Sequence, residues 1–325
     1  VRWYGYSVTI VGDVEDGHLY GPDNIELTQT AAVDLSRETD EEFRRFEAFV
    51  SQFLDREQSR LLNASTLVTD FGMDSSFYSQ NISIFRDIVI SAMSEKPDYA
   101  ALIQQVWQNF IAYLGVSDYG RFSAETYINE FYLVTVAKII CVNVMAGEPV
   151  ISDTNEIKKI LNGEYFTRQN IFNLVDYDYF GWLNNSPYVE QIVGSVVELQ
   201  HRLVAYDFSR VGETDIFGRL LAQLANKEHR LMLGQEFTPH WVAQDIVEYN
   251  MDLLTGNSPR IVDMCCGSGV FLIESIKAVR RQYDIVPERY STEKDDIVFS
   301  CVMGFDIDPL AVMLAKVNWV MAMRD

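Results

Sequence analysis

Apolar and polar positions change their spacing twice along the 325 residues. From Arg2 to Val11 the chain is aromatic and β-branched, and Gly12 to Gly17 is rich in turn formers. That pattern predicts a hairpin or ribbon over residues 1–38. From Thr39 the spacing becomes helical. Phe43, Phe46, Phe49, Val50, Phe53 and Leu54 share a face behind the acids Asp40, Glu41 and Glu42, which favour a helix start. Further helices are predicted at 86–94, 98–114, 124–145, 154–162 and 187–206, with breaks at Lys96-Pro97, Gly115, Gly147-Glu-Pro149 and Ser186-Pro187. Residues 39–211 read as a helical domain.

After Asp207 the pattern becomes mixed. Asp215 to Ala225 predicts a helix with a stripe of Ile216, Leu220, Leu221 and Leu224. Thr238-Pro239 predicts another helix start, with Thr238 as cap, Pro239 in the first turn, and free backbone N–H groups ahead of it. Residues 260–263 read as a short strand ending in Asp263. A small-residue turn with Gly267 and Gly269 follows, then a helix from about 269 to 283. A polar connection, Pro287 to Asp296, leads to a second strand, Ile297 to Phe305. That strand ends in Asp306-Ile-Asp308-Pro309, and a last helix begins at Leu310. The alternation is the start of a parallel sheet. The fold class is therefore α/β, a mostly helical N-terminal domain followed by the start of a doubly wound, Rossmann-like domain at 212–325.

Composition narrows the setting. No uninterrupted apolar run reaches the eighteen or so residues of a membrane span, and no signal segment stands at the N-terminus, so no membrane partner is expected. Val1 in place of Met points to a processed or trimmed chain. Cys141, Cys265, Cys266 and Cys301 form no CxxC pair, so neither a zinc site nor a disulfide framework is expected, and a reduced, cytoplasmic location is the simplest reading. The formal charge is -21, with 13 Lys and Arg against 29 Asp and Glu in residues 1–200, and 13 against 18 in 201–325. Phosphate binding needs clustered cations, so any footprint on nucleic acid must lie mostly outside this chain. Two further patterns take bland readings. Asp153, Glu156 and Lys158 have the spacing of a nuclease metal site but fall on a predicted helix, whereas that site belongs on paired strands. Asn184-Asn-Ser-Pro-Tyr188 reads as a helix-entry turn, with Ser186 as cap and Pro187 at the first position.

The turn after Asp263 decides the ligand. A dinucleotide turn runs G-x-G-x-x-G and needs no acid at the strand tip. Here the glycine pair is Gly267-x-Gly269, Leu272 stands where a third glycine would be, and Asp263 presents a carboxylate that repels a pyrophosphate and attracts an ammonium or sulfonium. Asp306 closes the next strand, where a ribose offers two hydroxyl donors. An acid for an amino group, a glycine turn against the sugar and an acid for the ribose describe S-adenosyl-L-methionine better than a nicotinamide dinucleotide.

Three strings in this order resemble those of the adenine-N6 DNA methyltransferases of restriction–modification type. They are Leu233-Gly-Gln-Glu-Phe-Thr-Pro-His240, Asp263-Met-Cys-Cys-Gly-Ser-Gly-Val-Phe271, and Gly304-Phe-Asp-Ile-Asp-Pro-Leu-Ala311 with Ala315 and Asn318 after it. The first carries Glu236 as an extra residue. In the second, Met264 stands where the family has Pro and Cys265 where it has Ala. The resemblance implies that Thr238 contacts the cofactor's carboxylate and that Asp263 holds its amino group. It further implies that the backbone at Cys265 to Gly267 approaches the methionine and sugar, that Asp306 binds the ribose, and that Ile307 packs on the adenine. His240 and Cys266 read as helix and turn residues rather than as base and nucleophile.

The family's catalytic Asn/Asp-Pro-Pro-Tyr/Phe loop follows the fourth strand, so the resemblance places it after Asp325 and implies no catalytic residue here. The expectation is the N-terminal part of an enzyme that methylates a flipped adenine in double-stranded DNA, in a restriction–modification or phage-defence system, with other such subunits as partners. RNA and protein methyltransferases share the cofactor strings. A non-catalytic cofactor-binding or scaffold subunit would also carry them, and the acidic first 200 residues suit that reading.

Overall fold

The computed structural model describes residues 2–15, 18–34, 60–113, 122–147, 154–172, 174, 180–184, 187–211, 215–224, 238–253, 260–282 and 292–324. By contacts the chain divides into two units, Val1–Ser59 and Arg60–Asp325. In the first, β1 (Arg2–Glu15) pairs antiparallel with β2 (His18–Asp34) from Arg2↔Asp34 to Glu15↔His18, which is the ribbon expected. The register slips beside Gly5 and at Gly12, where a missing side chain tolerates the irregularity. The helix expected from Asp40 to Leu54 lies outside the described residues.

The second unit opens with β3 (Arg60–Leu62), α1 (Ala64–Phe71), α2 (Ser76–Glu95), α3 (Pro97–Tyr113) and α4 (Ala124–Ala146). It continues with α5 (Thr154–Leu161), the single turns α6 (Glu164–Arg168) and α7 (Gly181–Asn184), α8 (Val189–Leu203) and β4 (Tyr206–Val211). The organising element is α4. Ser123 Oγ accepts the Thr126 N–H at its start, and Gly147 ends it at φ 79°, a conformation glycine adopts without a Cβ clash. Every residue from Thr126 to Val144 is buried. A helix apolar on all sides belongs in the middle of a core. Among the described residues it is the helix long and apolar enough to cross a membrane, yet 94% of that apolar window is buried inside the unit. Its polar side chains find partners there: Asn143 and Gln200 of α8 exchange hydrogen bonds of 2.7 and 3.1 Å, and Lys138 Nζ donates to the Leu161 carbonyl at 2.9 Å.

Several boundaries differ from the sequence expectation. The helix read at 86–94 is the second half of the 20-residue α2, capped by Ser75. The helix read to residue 206 stops at Leu203. Tyr206 and Phe208 then alternate inward as β4, parallel to β3 at Arg60↔Tyr206 and Leu61↔Asp207. Pro187 lies in a turn ahead of α8, whose cap is Tyr188, while Ser186 is outside the described residues. Neither β3 nor α1 was expected.

The C-terminal part holds α9 (Gly218–Leu224), α10 (His240–Leu253), β5 (Ile261–Asp263), α11 (Val270–Gln282), α12 (Thr292–Cys301), β6 (Val302–Gly304) and α13 (Pro309–Arg324). β5 and β6 run parallel, Ile261↔Val302 to Asp263↔Gly304, with α11 in the crossover. The second strand is shorter than expected, because Ile297 to Cys301 is helical. Val298 and Cys301 are buried while Phe299 and Ser300 face outward, the three-residue spacing of a helix face. The described residues contain this one parallel pair of the sheet that the sequence led us to expect. The larger hydrophobic core runs from Leu62 to Met321 and includes Leu310, Leu314 and Val317 of α13, which packs on α4. The boundary expected at 211/212 therefore runs through the interior of this unit. A smaller cluster, with Cys266, Leu272, Val298 and Ala315, lies beneath β5 and β6.

A candidate cofactor site at the glycine turn

The strand tips and the turn are stitched together by backbone hydrogen bonds. Phe305 N donates to the Asp263 carbonyl at 2.8 Å, and Cys266 N to the Phe305 carbonyl at 2.9 Å. Gly269 N closes the turn on the Cys266 carbonyl at 2.8 Å. Gly267 and Gly269 take φ of 53° and 101°, which a side chain strongly disfavours. They serve different ends. A Cβ at Gly269 would lie 3.3 Å from Ala315 Cβ, so this glycine lets the turn press against α13. Around Gly267 nothing stands within 4 Å of that position, so the turn is open above it.

The two acids are held differently. Both oxygens of Asp306 accept backbone N–H groups, Oδ2 from Gly267 at 2.7 Å and Oδ1 from Asp308 at 2.9 Å, which fixes the carboxylate while leaving lone pairs for further donors. Asp308, two residues on, is buried and caps α13 by accepting the Leu310 N–H at 2.9 Å. In Asp306-Ile-Asp308-Pro309 the first acid thus faces the site and the second starts a helix. Asp263 Oδ1 accepts the Cys265 N–H at 3.0 Å, but its Oδ2 is buried without a hydrogen-bond partner among the described residues. A buried carboxylate oxygen without a donor is costly. An ammonium group of a ligand would satisfy it.

The residues between and beside the acids are open. Met264 is 68% exposed, Cys265 is exposed, and Ile307 is 46% exposed. A cavity of about 210 Å³ lies against Asp306, Ile307, Pro309 and Lys316. Asp263, Met264, Cys265, Gly267, Asp306 and Ile307 are therefore brought together at one end of the strand pair, and Gly269 supports them from behind. They fit the cofactor read from the sequence by the partnerless Asp263 oxygen and the empty space over Gly267.

Thr238 is half-buried, one residue farther from its helix than expected. The Pro239 carbonyl accepts the first helical N–H groups, from Val242 and Ala243, so Pro239 rather than Thr238 holds the cap position of α10. Residues 233–237 of the same string lie outside the described residues. His240 begins α10 with its Nε2 2.7 Å from Oε1 of Glu274, a contact without hydrogen-bond alignment. Glu274 is 2% exposed and also meets Lys277 at 2.9 Å. This contact and the pair Arg281–Glu248 tie α10 to α11, the helix that leaves the glycine turn.

Cys266 is buried, and its thiol is pushed up to about 12 by burial first and then by the charges of Asp306 and Asp263. A thiol held protonated is no nucleophile, in keeping with a packing role. The nuclease-like pattern dissolves in the same way. Lys158 pairs with Glu190 and Lys159 with Glu156 on α5, and Asp153 is outside the described residues. Among the described residues no cluster of three metal-ligating side chains occurs.

Sequence reasoning gave Asp215 and Ser268 no role. Asp215 was read only as the start of a helix, and the available clue was a glycine three residues later, at the N-terminus of α9.

Residues 212–325 match the family model described as N-6 DNA Methylase. No curated protein matches the chain. That description agrees with the family that the three strings resemble, and the match covers the C-terminal region of this chain.

Proposed function

We propose that the chain forms the S-adenosylmethionine-binding part of a cytoplasmic enzyme that methylates adenine N6 in double-stranded DNA, in a restriction–modification or phage-defence setting. The observation that carries this reading is the pair of unlike acids around an open glycine turn. Asp263 keeps one buried oxygen for a cationic amino group, and Asp306 is fixed by two backbone donors beside the turn. When bound, S-adenosylmethionine supplies an electrophilic methyl group on a sulfonium. Asp263 holds the amino group and Asp306 accepts from the ribose hydroxyls. Ile307 covers the adenine, while Met264 and Cys265 border the methionine end. Thr238 lies before a helix start, where free N–H groups favour a carboxylate.

No Asn/Asp-Pro-Pro-Tyr/Phe string occurs in the 325 residues, so transfer to the base is assigned to none of them. The acidic balance of residues 1–200 directs DNA contact to other surfaces. It also favours a second reading, in which this region assembles with other subunits of the same system.

Calorimetric titration of the purified chain with S-adenosylmethionine tests the proposal. Micromolar binding that is weakened about tenfold or more by Asp263→Ala and by Asp306→Ala is the expected result. No binding, or unchanged affinity in both variants, would overturn it.

A further inference from the structure

Behind the glycine turn, on the side away from its open face, three residues far apart in sequence meet. Asp215 Oδ1 accepts the N–H groups of Phe217 at 3.0 Å and Gly218 at 2.9 Å, which starts α9. The same oxygen accepts from Asn318 Nδ2 of α13 at 2.7 Å, and Oδ2 accepts from Ser268 Oγ of the turn. Asn318 Nδ2 donates a second time, to the Ser268 carbonyl at 2.8 Å. Ser268 and Asn318 are 3% and 2% exposed. One carboxylate thus gathers four donors from the start of α9, α13 and the turn, and hydrogen bonds to a carboxylate are among the stronger ones. Gly218 makes room for it: a methyl there would collide with the Asp215 carboxylate and lie 2.9 Å from Ser268 Oγ.

We propose that Asp215 is a positioning residue for cofactor binding, holding the Gly267–Gly269 turn in its binding shape through the side chain of Ser268 and, by way of Asn318, its carbonyl. The inference rests on the cofactor reading above. Ser268 sits between the two glycines of positive φ, each of which would otherwise have access to several conformations. Its neighbour Gly267 presents the amide that fixes Asp306. Pinning Ser268 from behind therefore sets the amide that faces the ligand acid in front. Asp215 touches no ligand group. It acts by keeping the turn from sampling other shapes, so its removal should weaken binding and loosen the turn together.

Asn at position 215 can keep the acceptor for Phe217, Gly218 and Asn318, but its NH2 group can only donate to Ser268 Oγ, so Asp215→Asn reverses the hydrogen bond to the turn and removes its charge. Ser268→Ala removes that hydrogen bond outright and serves if Asp215→Asn does not fold. In the 325-residue chain, each variant is expected to raise the dissociation constant for S-adenosylmethionine about tenfold. Each should also speed amide hydrogen exchange across 264–269 several-fold and leave the melting temperature within about 3 °C. The double variant should be no weaker than about twice Ser268→Ala, because both changes act on one contact.

Unchanged affinity and unchanged exchange would overturn the proposal, and so would effects that multiply in the double variant. If the unaltered chain binds no S-adenosylmethionine, the cofactor reading falls, and exchange alone then decides: faster exchange in the variants upholds the pinning of the turn, and equal exchange refutes it.

Discussion

The Gly267 amide donates to Asp306 Oδ2 at 2.7 Å, so the turn after the first strand and the acid after the second form one rigid corner. Neither strand tip is positioned alone. Asp306→Ala removes the proposed ligand acceptor and also strands the Gly267 N–H. A lost hydrogen bond to a charged group is worth about 1.5–3 kcal/mol. Affinity for S-adenosylmethionine is expected to fall roughly 10- to 150-fold, with Asp306→Asn between the two. Titration of both variants checks the order, and equal losses would mean that the charge alone matters.

Asp263→Asn should separate binding from stability. The new side chain keeps an oxygen for the Cys265 N–H and removes a buried charged oxygen that has no partner. Without ligand, the variant should unfold at the same denaturant concentration as the parent or slightly above it, while cofactor affinity drops about tenfold or more. Destabilisation beyond about 1 kcal/mol would show that Asp263 is structural.

Alkaline pH should act through Cys266. Its folded thiol is raised to about 12, above the ordinary value of 9.0. The stability that comes from keeping it protonated is whole below about pH 9, and it is lost as pH rises toward 12, because the unfolded thiol ionises first. Between pH 9 and 11 the melting temperature should fall, and fall less steeply in Cys266→Ala. A native-state alkylation at pH 8 should modify Cys265, which is exposed, well before the buried Cys141, Cys266 and Cys301.

The contact between His240 and Glu274 should matter most when only one partner is removed. His240→Ala leaves a buried carboxylate with Lys277, and a cost of about 1–3 kcal/mol is expected in denaturant unfolding. His240→Ala combined with Glu274→Met should cost less than His240→Ala by itself. A greater loss in the double variant would count against a buried pair.

What the sequence disclosed was mostly what local pattern can carry. The tip at Asp263, the glycines after it and the helices 270–282 and 309–324 stand close to where their spacing put them, as does α4 between Ser123 and Gly147. Ile297-Val-Phe-Ser-Cys was misread because a short apolar run fits a buried strand and a helix face equally well. β3 was invisible for another reason: it is three residues long and its partner, Tyr206 on β4, lies far along the chain. The same distance hid the work of Asp215, which meets Asn318 103 residues on. A capping acid looks alike in sequence whether it holds one helix or three elements.

The continuity of the core across residue 211 also bears on how such proteins can be recombined. Helix α13 lays Leu310, Leu314 and Val317 into the same interior that surrounds α4. A chimera joined at 211/212 would set one parent's α13 against another parent's α4, and unmatched side chains there would leave voids or clashes. Exchange between relatives should therefore succeed only when Arg60 to Arg324 travels as one piece, even though the family match begins at residue 212.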